Sequence, residues 1–427
     1  SYDNKYLLSL SYRTDGSSKF AKDVRWGNFW SVGAGWRLDQ EAFLKTDWID
    51  MLKLRSSYGE TGNNAGIGLY AWQGLYSLGF DNVTAAGVLQ GSLANPDLTW
   101  ETNKQFDFGV DFNLFKNRVN GSVEFFHRQS DDLLFAVNLP VSSGTLTQTR
   151  NIGSMFNRGL EVQVGVDVVR TKDFTWNLDV NATTFKNEIT KMPDGQPEII
   201  DGTKKLMVGH SIYDYWLRDY YGVDPEDGRA LYAMNSWNAA NSRITKSGDS
   251  VTTLASNGKF IYAGTAIPDV FGGISNTVSY KGLSLSFLFT YQIGGKIYDG
   301  AYAGLMSSGS YGSSLHTDIL RRWQKPGDET DVPRMDVART ADFNAASDRW
   351  LIDGSYLTLR SANLTYNLPE KYARAAFLQT ARVYLSGENL FMKSARKGMN
   401  AAQSFTGVTS NAYMPARIIT VGLNVTL

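Results

Sequence analysis

Side chains able to do acid–base, nucleophilic or metal chemistry fall into no catalytic or metal-binding pattern in this 427-residue chain. Its three histidines, His127, His210 and His316, stand far apart and lack the helical His-X-X-X-His spacing that offers two imidazoles to one zinc ion. There is no cysteine, which excludes thiol chemistry and disulfide stapling. No Gly-X-Ser-X-Gly elbow and no phosphate-cradling glycine loop occurs. Asp224, Glu226 and Asp227, or Asp331 with Asp336, have the oxygen ligands a calcium ion takes, but the run Asp-Pro-Glu-Asp-Gly reads more simply as a turn. The expectation is a protein without catalytic residues, metal or cofactor. Aromatic rings are the other chemically useful class, at 13% of residues. Trp72, Tyr76, Tyr213, Tyr215, Trp216, Trp237, Trp323 and Trp350, with Tyr220 and Tyr221, lie in stretches that otherwise read as loop. Such faces stack on sugar rings and grip peptide side chains, so these are the ligand-binding candidates; anchoring the loops on one another is the competing role.

The elements that must position them read as strands. From Lys104 to Arg128, Phe106, Phe108, Val110, Phe112 and Leu114 alternate with Asp107, Gly109, Asp111 and Asn113. After a turn at Lys116 and Asn117, Val119, Val123 and Phe125 alternate with Asn120, Ser122 and Glu124. Period two of this kind marks a hairpin with one apolar and one polar face. The pattern recurs around Leu160–Val180, Val278–Tyr291 and Tyr356–Leu368, giving about twelve strands. Long connections, at about 62–99, 130–155, 188–268, 293–353 and 390–414, alternate with short ones. That asymmetry, strands of about ten residues, and aromatics such as Phe115, Tyr280 and Tyr366 beside the short turns all predict a transmembrane antiparallel β-barrel. The stretch 188–268 is expected to be irregular, and Asp39–Asp50 a short helical turn. No run of about 18 apolar residues predicts a membrane helix. Charge cancels at 42 basic and 42 acidic residues, which gives no nucleic-acid footprint. The segment Thr420–Leu427 resembles the terminal strand by which such barrels are recognised, although Leu427 stands where an aromatic residue is usual.

Several motifs then follow one another in order. Arg13-Thr-Asp15-Gly16-Ser-Ser-Lys19-Phe20, Arg25-Trp26-Gly27-Asn-Phe29 and Gly35-Trp36-Arg37 precede Leu52-Lys53-Leu54-Arg55, Ser57-Tyr58-Gly59 and Thr61-Gly62-Asn63. Further on stand Asn95-Pro-Asp-Leu-Thr-Trp100-Glu101, Asn157-Arg-Gly-Leu-Glu161 and Gly387-Glu-Asn-Leu-Phe391. The run resembles the SusC/RagA family of TonB-dependent outer-membrane transporters. Asp15, Lys19, Arg25 and Trp26 read as a loop-fixing cluster, and turn geometry is the expected reason for Gly62 and Asn63. The resemblance implies the C-terminal part of a 22-stranded barrel, about strands 11 to 22, with the plug domain outside this chain. It also implies uptake of oligosaccharides or oligopeptides, a SusD-like surface lipoprotein as lid, TonB acting through the plug, and a dimer of transporter–lid pairs in the lipid of the outer membrane. A passive porin or a surface-binding barrel is the alternative.

Overall fold

A computed structural model describes residues 1–307, 312–402, 405–409 and 413–427. Parts of the expected loops 293–353 and 390–414 lie outside the described residues. Twelve long strands dominate: β1 (Tyr6–Gly16), β2 (Trp26–Arg37), β3 (Ile49–Asn63), β4 (Glu101–Leu114), β5 (Val119–Asp131), β6 (Ser154–Arg170), β7 (Phe174–Lys191), β8 (Val270–Tyr280), β9 (Leu283–Ile293), β10 (Tyr356–Asn367), β11 (Thr380–Ser394) and β12 (Ile418–Thr426). They form one sheet whose strand order is the chain order. No described helix is long and apolar enough to cross a membrane, so any crossing is made by strands. By its contacts the chain divides into two compact units, Ser1–Ile199 with Leu206–Ser211 and Gly272–Ser286, and Ile200–Lys205 with Ile212–Phe271 and Phe287–Leu427.

In the first unit the register turns the alternating sequence into two unlike surfaces. Phe106 pairs with His127, Phe108 with Phe125 and Val110 with Val123, so these side chains share one face. That face is open rather than packed in a core: Phe106 is 40% exposed, and Leu8, Leu10 and Tyr12 of β1 are exposed as well. His127 lies on this apolar face, tilted against Phe156 with ring centroids 5.4 Å apart. The tight turn between β4 and β5 takes three successive left-handed residues, Phe115, Lys116 and Asn117, with φ of 59°, 61° and 57°. Asp39–Asp50 holds two 3-10 turns, Leu38–Gln40 and Ala42–Leu44. In the second unit, β10 and β11 pair with a register shift between Leu359 and Ser361, opposite Asn389 at φ 51°. This irregularity carries β11 on to Ser394, past the Glu388 end that alternation alone suggests.

The connection 188–268 is a correction to the sequence reading. It is not irregular: eight short strands between Glu198 and Thr265 build two four-stranded sheets. Their alternations, such as Tyr215 and Leu217 or Ala230 and Tyr232, run for only four or five residues between polar turns. Each is too short to rise above background as a periodic signal.

Gly62 is a second correction. It lies within β3 and has no positive φ; what it offers is space, because a Cβ there would come within 2.1 Å of the Phe29 ring. Gly27 makes room for the same ring, with 2.5 Å to the Phe29 Cζ. The Phe29 ring must therefore shift if either glycine gains a side chain. We expect Gly62→Ala to destabilise the folded barrel by about 1–3 kcal/mol through overpacking, read as an earlier loss of heat-resistant mobility on gels of the membrane-extracted protein. Gly66→Ala, which meets nothing within 4 Å but strains a φ of 82°, is the comparison for a purely backbone effect.

Candidate functional site

The roots of the long connections come first, because they decide what the tips can do. In the first unit Phe20, Ile67 and Leu98 are buried together, with Trp72 and Trp100 packed on them. The Trp100 ring sits edge-on to Phe29 at 5.7 Å, and its indole donates to the Arg25 carbonyl at 3.0 Å. Lys19 Nζ donates to the Asn64 carbonyl at 3.1 Å, and Asn64 donates to Ser17 Oγ at 2.8 Å. Asn151 accepts from the Thr99 amide and donates to the Thr99 carbonyl, both at 2.8 Å. Glu101 accepts from Asn63 Nδ2 at 2.6 Å and from the Leu134 amide at 2.8 Å. Asp15 pairs with Arg13 at 2.9 Å, and the Trp26 ring, largely exposed, lies over Gly16. Most of the motif residues of this region thus bind connection to connection and leave little for a ligand.

Below these roots the polar face of the same unit carries the charges. Arg55 Nε donates to Asp111 at 3.1 Å and its Nη2 pairs with Glu124, while Lys53 reaches Asp111 at 3.6 Å. Gly109 leaves space for that guanidinium, with Arg55 Cζ 2.8 Å from where a Cβ would be. Buried Asp107 accepts from Gln105 and from Ser57. A cleft of ≈ 560 Å³ opens here, lined by Ser57, Asn103, Lys104, Gln105, Asp107 and Arg128 among others. Donors and acceptors are mixed, which suits neutral polar ligands such as sugar hydroxyls or peptide amides. Tyr58 stays on the apolar face, its ring 5.3 Å from Trp30, and Gly59 lies against Ser31. Trp36 stacks on Tyr6 at 6.4 Å near the short-connection end.

The candidate aromatics separate by accessibility. In the first unit Tyr76 stands 65% exposed on a small hairpin, Tyr76–Leu78 against Val88–Gln90, whereas Trp72 belongs to the packed root. In the second unit Tyr215 is 0% exposed, and its hydroxyl donates to the carbonyls of Lys296 at 3.0 Å and Gly407 at 2.6 Å. Trp350 is 2% exposed and donates to the Ala345 carbonyl at 3.0 Å. Trp323 lies on Gly228, where a Cβ would meet its ring at 2.5 Å, and donates to the Pro225 carbonyl at 3.0 Å. Trp216 is half-buried beneath Lys205, 4.3 Å from the ring centroid, with Tyr262 tilted against it at 4.9 Å. Tyr213 is half-buried and edge-on to Phe405 at 6.1 Å. Tyr220 is enclosed against Tyr232 at 5.6 Å, while Trp237 and Tyr221 are exposed. Tyr76, Trp237 and Tyr221 are therefore the rings with a free face in this conformation. Three of the acidic candidates for calcium have other partners: Asp224 accepts from the Glu226 amide at 2.9 Å, and Arg243 lies 3.6 Å from both Asp224 and Asp227. Asp336 pairs with Arg334 at 3.1 Å.

One node escaped the sequence reading. Asp299, 2% exposed, pairs with Arg396 and accepts from Thr409 Oγ1 at 3.1 Å and the Tyr302 amide at 3.1 Å. The Arg396 guanidinium lies 3.6 Å from the Tyr302 ring centroid, and the Tyr302 hydroxyl donates to Asp318 at 2.7 Å. Asp299 caps the short helix Gly300–Leu305 locally through the Tyr302 amide, but Arg396 and Thr409 stand 97 and 110 positions away, so no local signal marks the pair. A second enclosed amine is half-buried Lys204, whose Nζ donates to the Tyr213 carbonyl at 2.6 Å and lies 3.3 Å from the Tyr215 ring centroid. Burial pulls its pKa down to about 7, against the opposing pull of Asp214.

Two predictions follow from these groups. Removing Arg396 leaves a buried carboxylate uncompensated, a loss of about 3–5 kcal/mol. Arg396→Met is expected to speed amide exchange across residues 296–306, and adding Asp299→Asn to recover part of the protection. For Lys204 the unfolded amine titrates near 10.5 and the folded one near 7. The penalty for charging it in place is fully present below the lower value and fades as pH rises between the two, so the unfolded segment binds more protons there and stability increases with pH. Exchange protection of Asp214–Arg218, corrected for intrinsic rates, should rise from about pH 6.5 to about pH 9, and Lys204→Met should flatten that slope.

Residues 1–390 match the family described as TonB dependent receptor-like, beta-barrel. The TonB-dependent receptor P3 of Formosa agariphila is 31% identical over 99% of this chain, and SusC of Bacteroides thetaiotaomicron 28% identical over 99%. The chain covers 44% and 42% of those two proteins, so it spans less than half their length. Among solved structures, a chain of the RagAB peptide transporter superposes with a TM-score of 0.87 at 28% identity, covering 100% of this chain and 46% of that one. This chain belongs to the TonB-dependent receptor β-barrel family, in its SusC/RagA group, and is an integral protein of the bacterial outer membrane.

Proposed function

We propose that the protein containing this chain imports oligosaccharides or oligopeptides across the outer membrane, driven by TonB through a plug outside this chain and working beneath a SusD-like surface lipoprotein. The observation that carries the reading is that the long connections are built structures. They hold buried roots, small sheets and a buried Asp299–Arg396 pair, where mere tethers between strands need none. Folded walls of this kind suit a ligand chamber. The polar cleft with its mixed donors and acceptors suits neutral oligomers, and the exposed Tyr76, Tyr221 and Trp237 offer rings for sugars or peptide side chains.

The lid has a fitting contact as well. The hairpin carrying Tyr76, Leu78 and Val88 exposes nearly all its apolar residues, Leu78 at 80% and Val83 in the adjoining turn at 94%. Apolar surface of that kind on a long connection is characteristic of a protein interface. The likeness to the RagAB peptide transporter agrees with the oligopeptide alternative.

The test uses cells carrying the full-length gene and fluorescent oligosaccharide and oligopeptide pools. Uptake of one pool is expected to fall to background when either the gene or TonB is removed. Uptake that persists without TonB would instead make the barrel a passive pore. The paired change Tyr76→Asp and Leu78→Asp is expected to reduce co-purification of the surface lipoprotein at least several-fold while leaving the amount of inserted barrel unchanged.

A further inference from the structure

The connection between β10 and β11 is neither a bare turn nor a long loop. It folds as a short helix, Glu370–Ala375, closed at its C-terminal end by two backbone bonds. The Leu378 amide donates to the Ala373 carbonyl and the Phe377 amide to the Arg374 carbonyl, both at 3.0 Å. These are the six-to-one and five-to-two bonds of a Schellman motif, and they place Phe377 at the position that must be left-handed. Its φ is +62°. Glycine is the usual occupant, because an L side chain is disfavoured in that region. Here the position holds a phenylalanine whose ring is 93% exposed. Neither water nor the chain rewards that choice. Leu378 is half-buried and Ala373 buried, the two positions where the motif's apolar contact normally falls, while the Phe377 ring stands in the open.

An apolar surface leads up to this ring. On β10 and β11, Leu364 pairs with Leu385 and Tyr366 with Val383, and all four are exposed. Val383 pairs onward with Leu423 and Leu385 with Val421 of β12, which are also exposed. In an integral outer-membrane protein this is the lipid-facing stripe, and its last residues lie one short step from the helix. Tyr372, exposed on the helix, adds a ring with a polar tip, and Lys371 adds an exposed cation.

We propose that the Glu370–Leu378 connection is a membrane anchor: Phe377 and Tyr372 lie in the lipid leaflet at the short-connection end, near the boundary of head groups and acyl chains, with Lys371 at head-group phosphate level. The partner is lipid, by continuity with the exposed apolar stripe below. An aromatic ring at that depth recovers free energy that offsets the left-handed backbone. The inference rests on membership of the outer-membrane family and not on the proposed uptake, so the two can fail separately.

The chain contains no cysteine, which makes single labelling direct. Phe377→Cys and Tyr372→Cys, each spin-labelled in the full-length protein freed of other cysteines and held in lipid nanodiscs, should be relaxed more by oxygen than by a water-soluble nickel complex. Lys246→Cys, on an exposed residue of a long connection, is the aqueous reference. A ratio of oxygen to nickel accessibility at 377 several-fold above that at 246 supports the anchor. Equal ratios at the two positions overturn it in favour of a solvated turn. Shielding of position 377 from both reagents overturns it in favour of a covering protein. Because a cysteine at 377 removes the exposed ring, the labels also report on variants with an undisturbed core, and position 372 gives a second, independent depth.

Discussion

A strand surrounded by hydrocarbon has no water to satisfy its amides, so every N–H and C=O must find a partner in a neighbouring strand. That constraint orders the chain. It requires long strands paired along their length, such as the unbroken ladder between β4 and β5 from Thr102 to Leu114, and it leaves side chains as the sole means of distinguishing the two faces. The apolar face can then remain exposed without aggregation because lipid covers it. The polar face is free to hold ion pairs such as Arg55 with Asp111 and Glu124. Glycines enter where backbone alone leaves too little room: Gly109 for the Arg55 guanidinium and Gly62 for the Phe29 ring.

A frame of this kind has little freedom of its own, so the variable chemistry resides in the connections. These are stabilised as a soluble domain is, by burial and by hydrogen bonds to polar groups taken out of water. Tyr215 satisfies two carbonyls at once, and Asp299 collects a guanidinium, a hydroxyl and an amide. The molecule thus combines two solvent regimes in one chain. Its strands obey the rules of the bilayer, and its connections those of an aqueous core.

The two regimes were unequally legible in the sequence. Strands announce themselves because period two is sustained over ten or more residues, and that alternation alone puts Phe106, Phe108 and Val110 on one face. The small sheets of 198–265 could not, because the strand at Asp214–Arg218 finds its partner at Phe260–Thr265, and neither is long enough to show a period. The aromatic candidates illustrate the same limit. Composition picks out Tyr215 and Tyr76 alike, yet one is sealed by a carbonyl 192 positions away and the other stands open. For Gly62 the sequence suggests turn geometry, whereas the structure gives it a steric role beside Phe29. Its role depends on which ring the neighbouring strand directs toward it, and that is fixed by register.

The roots of the connections have an evolutionary consequence. Asn151, Thr99, Trp100 and Glu101 tie neighbouring connections together close to the strand ends, using backbone carbonyls and amides for much of the contact. Backbone groups are present whatever the side chain, so this joinery tolerates drift in the tips beyond it. The tips can vary in sequence while these ties below them stay in place. Variation in the tips and integrity of the roots are in that sense separable.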